Sequence, residues 1–207
     1  MSDLSTPSSL LTERLSSFDS FVPYALRTES NPDASLVLHT NVRAFVAAVA
    51  ASIASAEILD GFKKQLFYGK TANLLTKTSH YTAILEESIS ILNEGITEDS
   101  LGDPVALNPR VLHGLLGFVT EAGELASVLQ KGVAGEAVDV VNIQEEVSDA
   151  AWYVAIIADE LKLDFYQGLT NVVNKLYIRY PEKFTSFLAD NRDLVAERAA
   201  LEVGLEK

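Results

Sequence analysis

Four acidic residues in the second half of the chain have a spacing that brings carboxylates together on helices. Glu121 and Glu124 are three residues apart, and so are Glu146 and Asp149. Residues at this spacing lie on one face of a helix, with about 5–6 Å between their Cβ atoms. Apolar residues flank both pairs. Four carboxylates that meet beside a core are costly to desolvate, so this arrangement indicates a compensating cation.

The ligand type indicates which ion this would be. Oxygen ligands without His or Cys favour a hard cation, Mg²⁺ or Mn²⁺ rather than Ca²⁺, and Mg²⁺ keeps waters that phosphate oxygens can replace. The chain has no cysteine, and His39, His80 and His113 are too scattered to predict a zinc site. Three roles stay open for Glu145, beside Glu146: a surface residue, a hydrogen-bonding partner of a ligand, or a further ligand.

Helical periodicity dominates the rest of the chain and predicts an all-α helical bundle. No sustained alternation of apolar and polar residues indicates a sheet. The apolar stretch at 44–56 is shorter than the ~20 residues that span a bilayer, and we expect a buried helix there. Pro7, Pro23 and Pro32 interrupt a polar lead-in at residues 1–40. The predicted helices cover residues 41–66, 80–92, 110–130, 142–161 and 164–180, followed by a charged, helix-prone tail at 190–207.

Two segments of the chain look like copies of one module. The helix that opens at Asn41 contains Ala54 and Glu57 at the offsets at which the helix that opens at Asn108 contains Glu121 and Glu124. Further on, Glu86, Glu87 and Ser90 parallel Glu145, Glu146 and Asp149. We therefore predict that residues 41–97 are a degenerate copy of residues 98–189, and that the two form a pseudo-dimer within one chain.

Three ordered segments resemble a known family, the MazG-like all-α nucleoside triphosphate pyrophosphohydrolases. This group is similar to phosphoribosyl-ATP pyrophosphohydrolases and to the dimeric dUTPases and dCTPases. The family signature is Glu-x-x-Glu, a spacer and Glu-x-x-Asp, and here 21 residues separate Glu124 from Glu146. The end of the chain, with Asn191-Arg-Asp-Leu and Glu197-Arg, resembles phage-encoded members. The matching segments are Thr120-Glu-Ala-Gly-Glu-Leu, Glu145-Glu-Val-Ser-Asp-Ala-Ala-Trp-Tyr and Lys175-Leu-Tyr-Ile-Arg-Tyr-Pro-Glu-Lys-Phe.

The resemblance implies a function and a set of roles. It implies hydrolysis of an NTP or dNTP to the monophosphate and pyrophosphate, which would serve control of the nucleotide pool. Glu121, Glu124, Glu146 and Asp149 would bind Mg²⁺, for which Mn²⁺ could substitute, and Glu121 would also act as the general base. The substrate-binding residues implied by the resemblance are Lys175, one of Asn171 and Asn174, Arg179 and Tyr180.

Charge narrows the range of partners. A net charge of −13 argues against binding to nucleic acid, since phosphate backbones require clustered Lys and Arg. It does not argue against the nucleotide that the resemblance implies, because a divalent cation can lie between two negative partners. The absence of cysteine fits a cytoplasmic protein, and we expect no membrane contact. A monomer and a homodimer or larger homo-oligomer both stay open. Two alternatives to the NTP enzyme are a pyrophosphohydrolase of an alarmone or modified nucleotide and a non-enzymatic helical scaffold.

Overall fold

Helices make up most of the structure. The computed structural model describes residues 15–30 and 37–204. Within these ranges, strand is confined to a two-residue antiparallel ladder, in which His39 faces Pro104 and Thr40 faces Asp103. The prediction of an all-α chain is confirmed. The helices are α1 (Phe18–Arg27), α2 (Val42–Tyr68), α3 (Thr71–Asn93), α4 (Pro109–Val133), α5 (Val140–Glu160), α6 (Phe165–Arg179), α7 (Ser186–Asp190) and α8 (Leu194–Leu201), and the strands are β1 (His39–Thr40) and β2 (Asp103–Pro104).

The chain divides into two compact units. The α4–α5 unit contains Met1–Ala34, Asn108–Glu182 and Asp193–Lys207, and the α2–α3 unit contains Ser35–Leu107 and Lys183–Arg192. Each unit is built around one pair of long, neighbouring helices. The module boundaries inferred from the sequence, at residues 40, 97 and 189, stay predictions.

The ends of α4 and α5 are fixed by side-chain caps. The Asn108 side chain accepts hydrogen bonds from the backbone N–H groups of Arg110 and Val111, and Pro109 occupies the first turn of α4. Asp139 caps α5 in the same way. These residues satisfy donors that the first turn of a helix leaves unpaired, and proline fits there because it has no N–H to satisfy. The caps therefore define where both long helices begin.

Two glycines let α4 and α5 approach closely. A Cβ atom on Gly117 would lie 2.0 Å from Cε1 of Tyr153, and one on Gly114 would lie 2.5 Å from Cγ1 of Ile157. The two helices run antiparallel, because the earlier glycine on α4 meets the later residue on α5. The tyrosine ring thus occupies the space that a side chain at residue 117 would fill.

Arg110 joins three parts of the α4–α5 unit. Its guanidinium contacts Glu29 beyond α1, and also Asp159 and Glu160 at the end of α5, at 2.7–2.9 Å. Hydrogen bonding to Glu29 is the main cause that raises the pKa of Arg110 above its usual value, against the effect of burial. The contact with Glu29 holds the segment after α1 against the beginning of α4.

Helix α1 was not expected from the sequence, where Pro23 indicated a break. Ser17 and Ser20 form a reciprocal capping box, and Pro23 lies inside the ten-residue helix. Contacts distant in sequence add to this local signal, because the ring of Phe18 stacks on Phe165 with centroids 4.2 Å apart. The predicted polar lead-in at residues 1–40 therefore contains a short helix, its boundary at residue 40 stays a prediction, and Pro7 and Pro32 lie outside the described residues.

Helix α2 is longer and more exposed than the predicted buried helix. It runs for 27 residues, and its buried positions are Ala44, Ala47, Ala54 and Gly61. An 18-residue window has a mean hydropathy of 1.7 and is 17% buried, so α2 is long and apolar enough to cross a membrane. Core helices of soluble proteins also satisfy these criteria of length and composition. The expectation of no membrane contact stays a prediction.

The close crossing of α4 and α5 predicts opposite effects of two Gly→Ala substitutions on one helix. Gly117→Ala should lower the free energy of unfolding by about 1–3 kcal/mol, because the added methyl group overlaps the Tyr153 ring. Gly123→Ala is the control, since nothing lies within 4 Å of its Cβ position, and it should raise that free energy by up to about 1 kcal/mol. Urea denaturation measures both. Equal effects would contradict the crossing geometry.

Candidate metal centre

Three of the predicted acids meet at the interface between α4 and α5. One carboxylate oxygen from each of Glu121, Glu146 and Asp149 lies within 4.8 Å of the other two. Glu121 has 9% and Glu146 5% of its surface exposed, whereas Asp149 is exposed. Two nearly buried carboxylates thus face each other, with a third at the solvent edge.

The close contact of α4 and α5 at Gly114 and Gly117 places these acids at the same height along the two helices. Glu121 follows Gly117 by about one helical turn on α4, and Asp149 precedes Tyr153 by about one turn on α5. Because the helices are antiparallel and Gly117 contacts the Tyr153 ring, the next turn of each helix places its acid at the interface. The spacing of three residues then brings Glu146 to the same face as Asp149.

Glu124 lies at the margin of the cluster. It is exposed and is not among the three residues whose oxygens meet within 4.8 Å. The negative charge of Glu146 nevertheless raises the pKa of the Glu124 carboxyl, with a further contribution from desolvation. Glu124 therefore interacts electrostatically with the cluster, and its exposed side chain is accessible to a ligand from solvent.

The carboxylates of the site repel one another, and their pKa shifts reflect this. Burial is the main cause that raises the pKa of Glu146, and contact with Glu121 adds to it, while a hydrogen bond from Asn142 acts in the opposite direction. Burial also raises the pKa of the Tyr153 phenol, followed by the charges of Glu121 and Asp149. Each shift favours the form of the group with less negative charge, as expected where carboxylates share a confined space.

No side-chain cation compensates this charge in the part of the chain that the structure describes. There, no Lys or Arg forms an ion pair with Glu121, Glu124, Glu146 or Asp149. A hard divalent cation fits this donor set, which consists of carboxylate oxygens, two of them withdrawn from water.

The acids between α2 and α3 differ from those between α4 and α5, because they form ion pairs with lysine. There, Lys77 of α3 forms ion pairs with Glu57 and Asp60 of α2, and its side chain is only 16% exposed. Asp60 also binds Lys63 and Lys64 at 2.7 Å, and hydrogen bonds from these lysines hold the pKa of Asp60 well below its usual range. These carboxylates already have protein cations as partners.

Two of the predicted substrate-binding residues hold the C-terminal segment. The amide of Asn171 is 3% exposed and donates hydrogen bonds to the backbone oxygens of Leu201 and Val203. Arg179 makes two hydrogen bonds, of 2.8 and 2.5 Å, to the buried carboxylate of Glu197 on α8. A phosphate contact by the amide nitrogen of Asn171 would require these bonds to break, whereas the guanidinium of Arg179 has further N–H groups besides the two that bind Glu197. The substrate roles of both residues stay predictions.

The other three predicted substrate residues lie on or just after α6. Lys175 is half-buried and forms no ion pair within the described residues, and Asn174 is exposed. Tyr180 follows the helix, and its ring lies 5.8 Å from the guanidinium carbon of Arg179. Lys175 is thus the cation on α6 whose charge the described structure leaves available.

A large apolar cavity adjoins the same helices. It has a volume of about 1120 Å³ and lies within the α4–α5 unit. Phe118, about one turn before Glu121, contributes to its wall, and so does Val154, the residue after Tyr153. The wall is completed by residues of α6 and of the C-terminal segment, including Val172 and Leu201. The acidic cluster and this cavity therefore share two helices.

The sequence motifs did not reveal Asn142. It lies in the first turn of α5, four residues before Glu146, and its amide nitrogen donates a hydrogen bond to Oε1 of that glutamate. A spacing of four residues on one helix was the available signal, because side chains at this spacing are neighbours.

Comparison of the chain with protein-family models, with curated proteins and with solved structures finds no match. The features that bear on function are therefore the sequence motifs and the geometry of the acidic cluster.

The repulsion between acids predicts a pH-dependent effect of Glu146→Gln in chelator. A carboxyl whose pKa is raised by folding stabilises the fold below its unfolded pKa, and this contribution is lost as pH rises through the folded value. Without metal, the variant should therefore gain melting temperature relative to the wild type between about pH 4.5 and about pH 8.

The matched control is Glu145→Gln, which removes the same charge from the exposed neighbouring residue. Its difference from the wild type should change little over this pH range. Thermal melts followed by circular dichroism measure both variants. A difference in melting temperature between Glu146→Gln and the wild type that stays constant over this pH range would show that the cluster is not repulsive.

Proposed function

We propose that this protein is a metal-dependent nucleoside triphosphate pyrophosphohydrolase, similar to the MazG-like all-α enzymes. The observation that carries the proposal is the meeting of Glu121, Glu146 and Asp149 within 4.8 Å, two of them nearly buried and none paired with a cation among the described residues. The reaction takes one NTP or dNTP and one water to a nucleoside monophosphate and pyrophosphate. A bound Mg²⁺ or Mn²⁺ would neutralise charge on the phosphates and position the water.

Glu121 is the residue best suited to accept the proton of the attacking water. The residue is nine-tenths buried, its carboxylate belongs to the cluster, and no amide, lysine or arginine among the described residues is bound to it. A base must be within hydrogen-bond reach of its water and must have a free lone pair. Glu146 is less suited, because Asn142 already occupies one of its oxygens.

The apolar cavity is a suitable place for the base and sugar. It is lined in part by residues of α4 and α5, the two helices that carry the acidic cluster, and a volume of about 1120 Å³ exceeds what one nucleoside needs. Phe118 offers an aromatic face at its wall. Lys175 would meet the phosphate chain if α6 approaches the cluster when substrate binds.

The α2–α3 hairpin supports the idea of a degenerate copy that binds no metal. Both units contain an antiparallel pair of long helices with acids at the interface, but in the α2–α3 pair Lys77 supplies the positive charge. A lysine ammonium among carboxylates removes the electrostatic need for a divalent ion. The proposed pseudo-dimer would therefore have one metal site per chain.

The alternative substrates are an alarmone or a modified nucleotide, and they use the same site chemistry. A scaffold without activity is the alternative in a different class. Because Glu121, Glu146 and Asp149 meet and no lysine or arginine among the described residues pairs with them, we place the NTP enzyme first.

The proposal predicts the products and the residues on which they depend. Purified protein with Mg²⁺ or Mn²⁺ should convert at least one NTP or dNTP to monophosphate and pyrophosphate, as separated by ion-exchange chromatography. Glu121→Gln should reduce the rate about 100-fold or more, since it removes the proposed base. Glu145→Gln, on an exposed position beside the cluster, should stay within about twofold of the wild type.

Release of diphosphate and orthophosphate would contradict the proposed bond cleavage. Turnover of an alarmone alone would favour the first alternative. No turnover of any nucleotide, together with a folded protein, would favour the scaffold.

The pseudo-dimer predicts a single class of metal site. Titration with Mn²⁺, followed by electron paramagnetic resonance of the free ion, should give one tight class of site in the wild type. Glu146→Gln should weaken it by about tenfold or more, because it removes a buried ligand. Glu57→Gln should leave the affinity unchanged. Strong binding that survives in Glu146→Gln and disappears in Glu57→Gln would refute the assignment of the site.

A further inference from the structure

Asn142 has a fixed position beside the most deeply buried acid of the cluster. Its backbone N–H donates to the capping carboxylate of Asp139, at 3.2 Å, and its side-chain amide donates to Oε1 of Glu146. Glu146 is 5% exposed, so water has little access to compete for that oxygen. One of its two oxygens is therefore engaged before any ion arrives.

We propose that Asn142 determines which divalent cation the cluster accepts, by reserving one oxygen of Glu146 and leaving the other as a single ligand atom. The inference rests on the proposed metal site and extends it from the presence of an ion to the choice of ion. The cluster would then favour Mg²⁺ and Mn²⁺ over Ca²⁺, and Asn142 is a positioning residue that acts through Glu146.

The physical reason lies in how the ions use carboxylates. Ca²⁺ takes six to eight oxygens in flexible geometry and often binds both oxygens of one carboxylate, whereas Mg²⁺ requires a near-ideal octahedron and keeps several waters. A carboxylate with one oxygen held by an amide cannot give both to an ion without losing that hydrogen bond. The loss is costly here, because the amide would be left unpaired in a partly buried place.

A second observation points to a ligand at this place. Glu121 is nine-tenths buried and faces the same point, and its side-chain partner there is Glu146, a second acid. No amide, lysine or arginine among the described residues holds Glu121, whereas Asn142 holds Glu146. The cluster thus combines one buried acid held by an amide with a second buried acid whose neighbour has the same charge.

The test compares ion selectivity in two variants of α5. Asn142→Leu removes the amide while keeping a similar volume, and Gln144→Leu makes the same change at an exposed position two residues away. Bound Mn²⁺ is displaced by Ca²⁺ or by Mg²⁺, and free Mn²⁺ is followed by electron paramagnetic resonance. This readout requires no turnover.

We expect Asn142→Leu to raise the affinity for Ca²⁺ relative to Mg²⁺ by about tenfold, the scale on which partners of metal ligands act. Gln144→Leu should keep the wild-type ratio. Asn142→Ala, which also removes the donor, should repeat the shift and covers the case in which the leucine variant does not fold. Asn142→Gln, which keeps a donor on a longer side chain, should restore part of the wild-type preference.

An unchanged Ca²⁺/Mg²⁺ ratio in Asn142→Leu and Asn142→Ala would overturn the inference, even if both ions bind more weakly, because Asn142 would then only orient the carboxylate. A shift of equal size in Gln144→Leu would overturn it as well. Failure of the wild-type protein to bind Mn²⁺ would refute the proposed metal site itself. A wild type that binds Mn²⁺ but has no ion preference refutes the selectivity alone.

Discussion

The confinement of two carboxylates between α4 and α5 is the constraint on which the candidate site depends. Gly117 admits the ring of Tyr153, and this close approach withdraws Glu121 and Glu146 from solvent beside one another. Two like charges in such a space favour protonation or a cation. The close packing of α4 and α5 therefore favours protonation of these acids or a neighbouring positive charge, and the surrounding residues determine whether the chain itself supplies that charge.

The two helical hairpins meet this need in different ways. In α2–α3, the ammonium group of Lys77 lies between two acids and stays with the chain. In α4–α5, no described lysine or arginine pairs with the acids, so their repulsion can be relieved by protonation or by a cation from solvent. A divalent ion that keeps exchangeable waters could also bind phosphate oxygens, which a lysine enclosed by its own carboxylates could not do equally well. Of the two arrangements, the second is therefore the one that suits the proposed function.

The sequence predicted those parts of the structure that follow from local spacing. Helical periodicity located α4 and α5 to within a few residues, and the spacing of three predicted that the acids share a face. Local spacing did not predict contacts between residues that are distant in the sequence. Helix α1 depends partly on the stacking of Phe18 on Phe165, and Asn171 and Arg179 bond to the C-terminal segment and to α8. The motif that suggested substrate roles for Asn171 and Arg179 gave no sign of these partners.

An anomalous-difference map from crystals grown with Mn²⁺ and a non-hydrolysable triphosphate analogue tests the proposed metal site most directly. We expect a manganese peak about 2.0–2.2 Å from carboxylate oxygens of Glu121, Glu146 and Asp149, with phosphate oxygens completing the coordination. We expect no peak at Glu57 and Asp60. A manganese peak at Glu57 and Asp60, or an analogue bound without any ion at the α4–α5 interface, would contradict the proposed site.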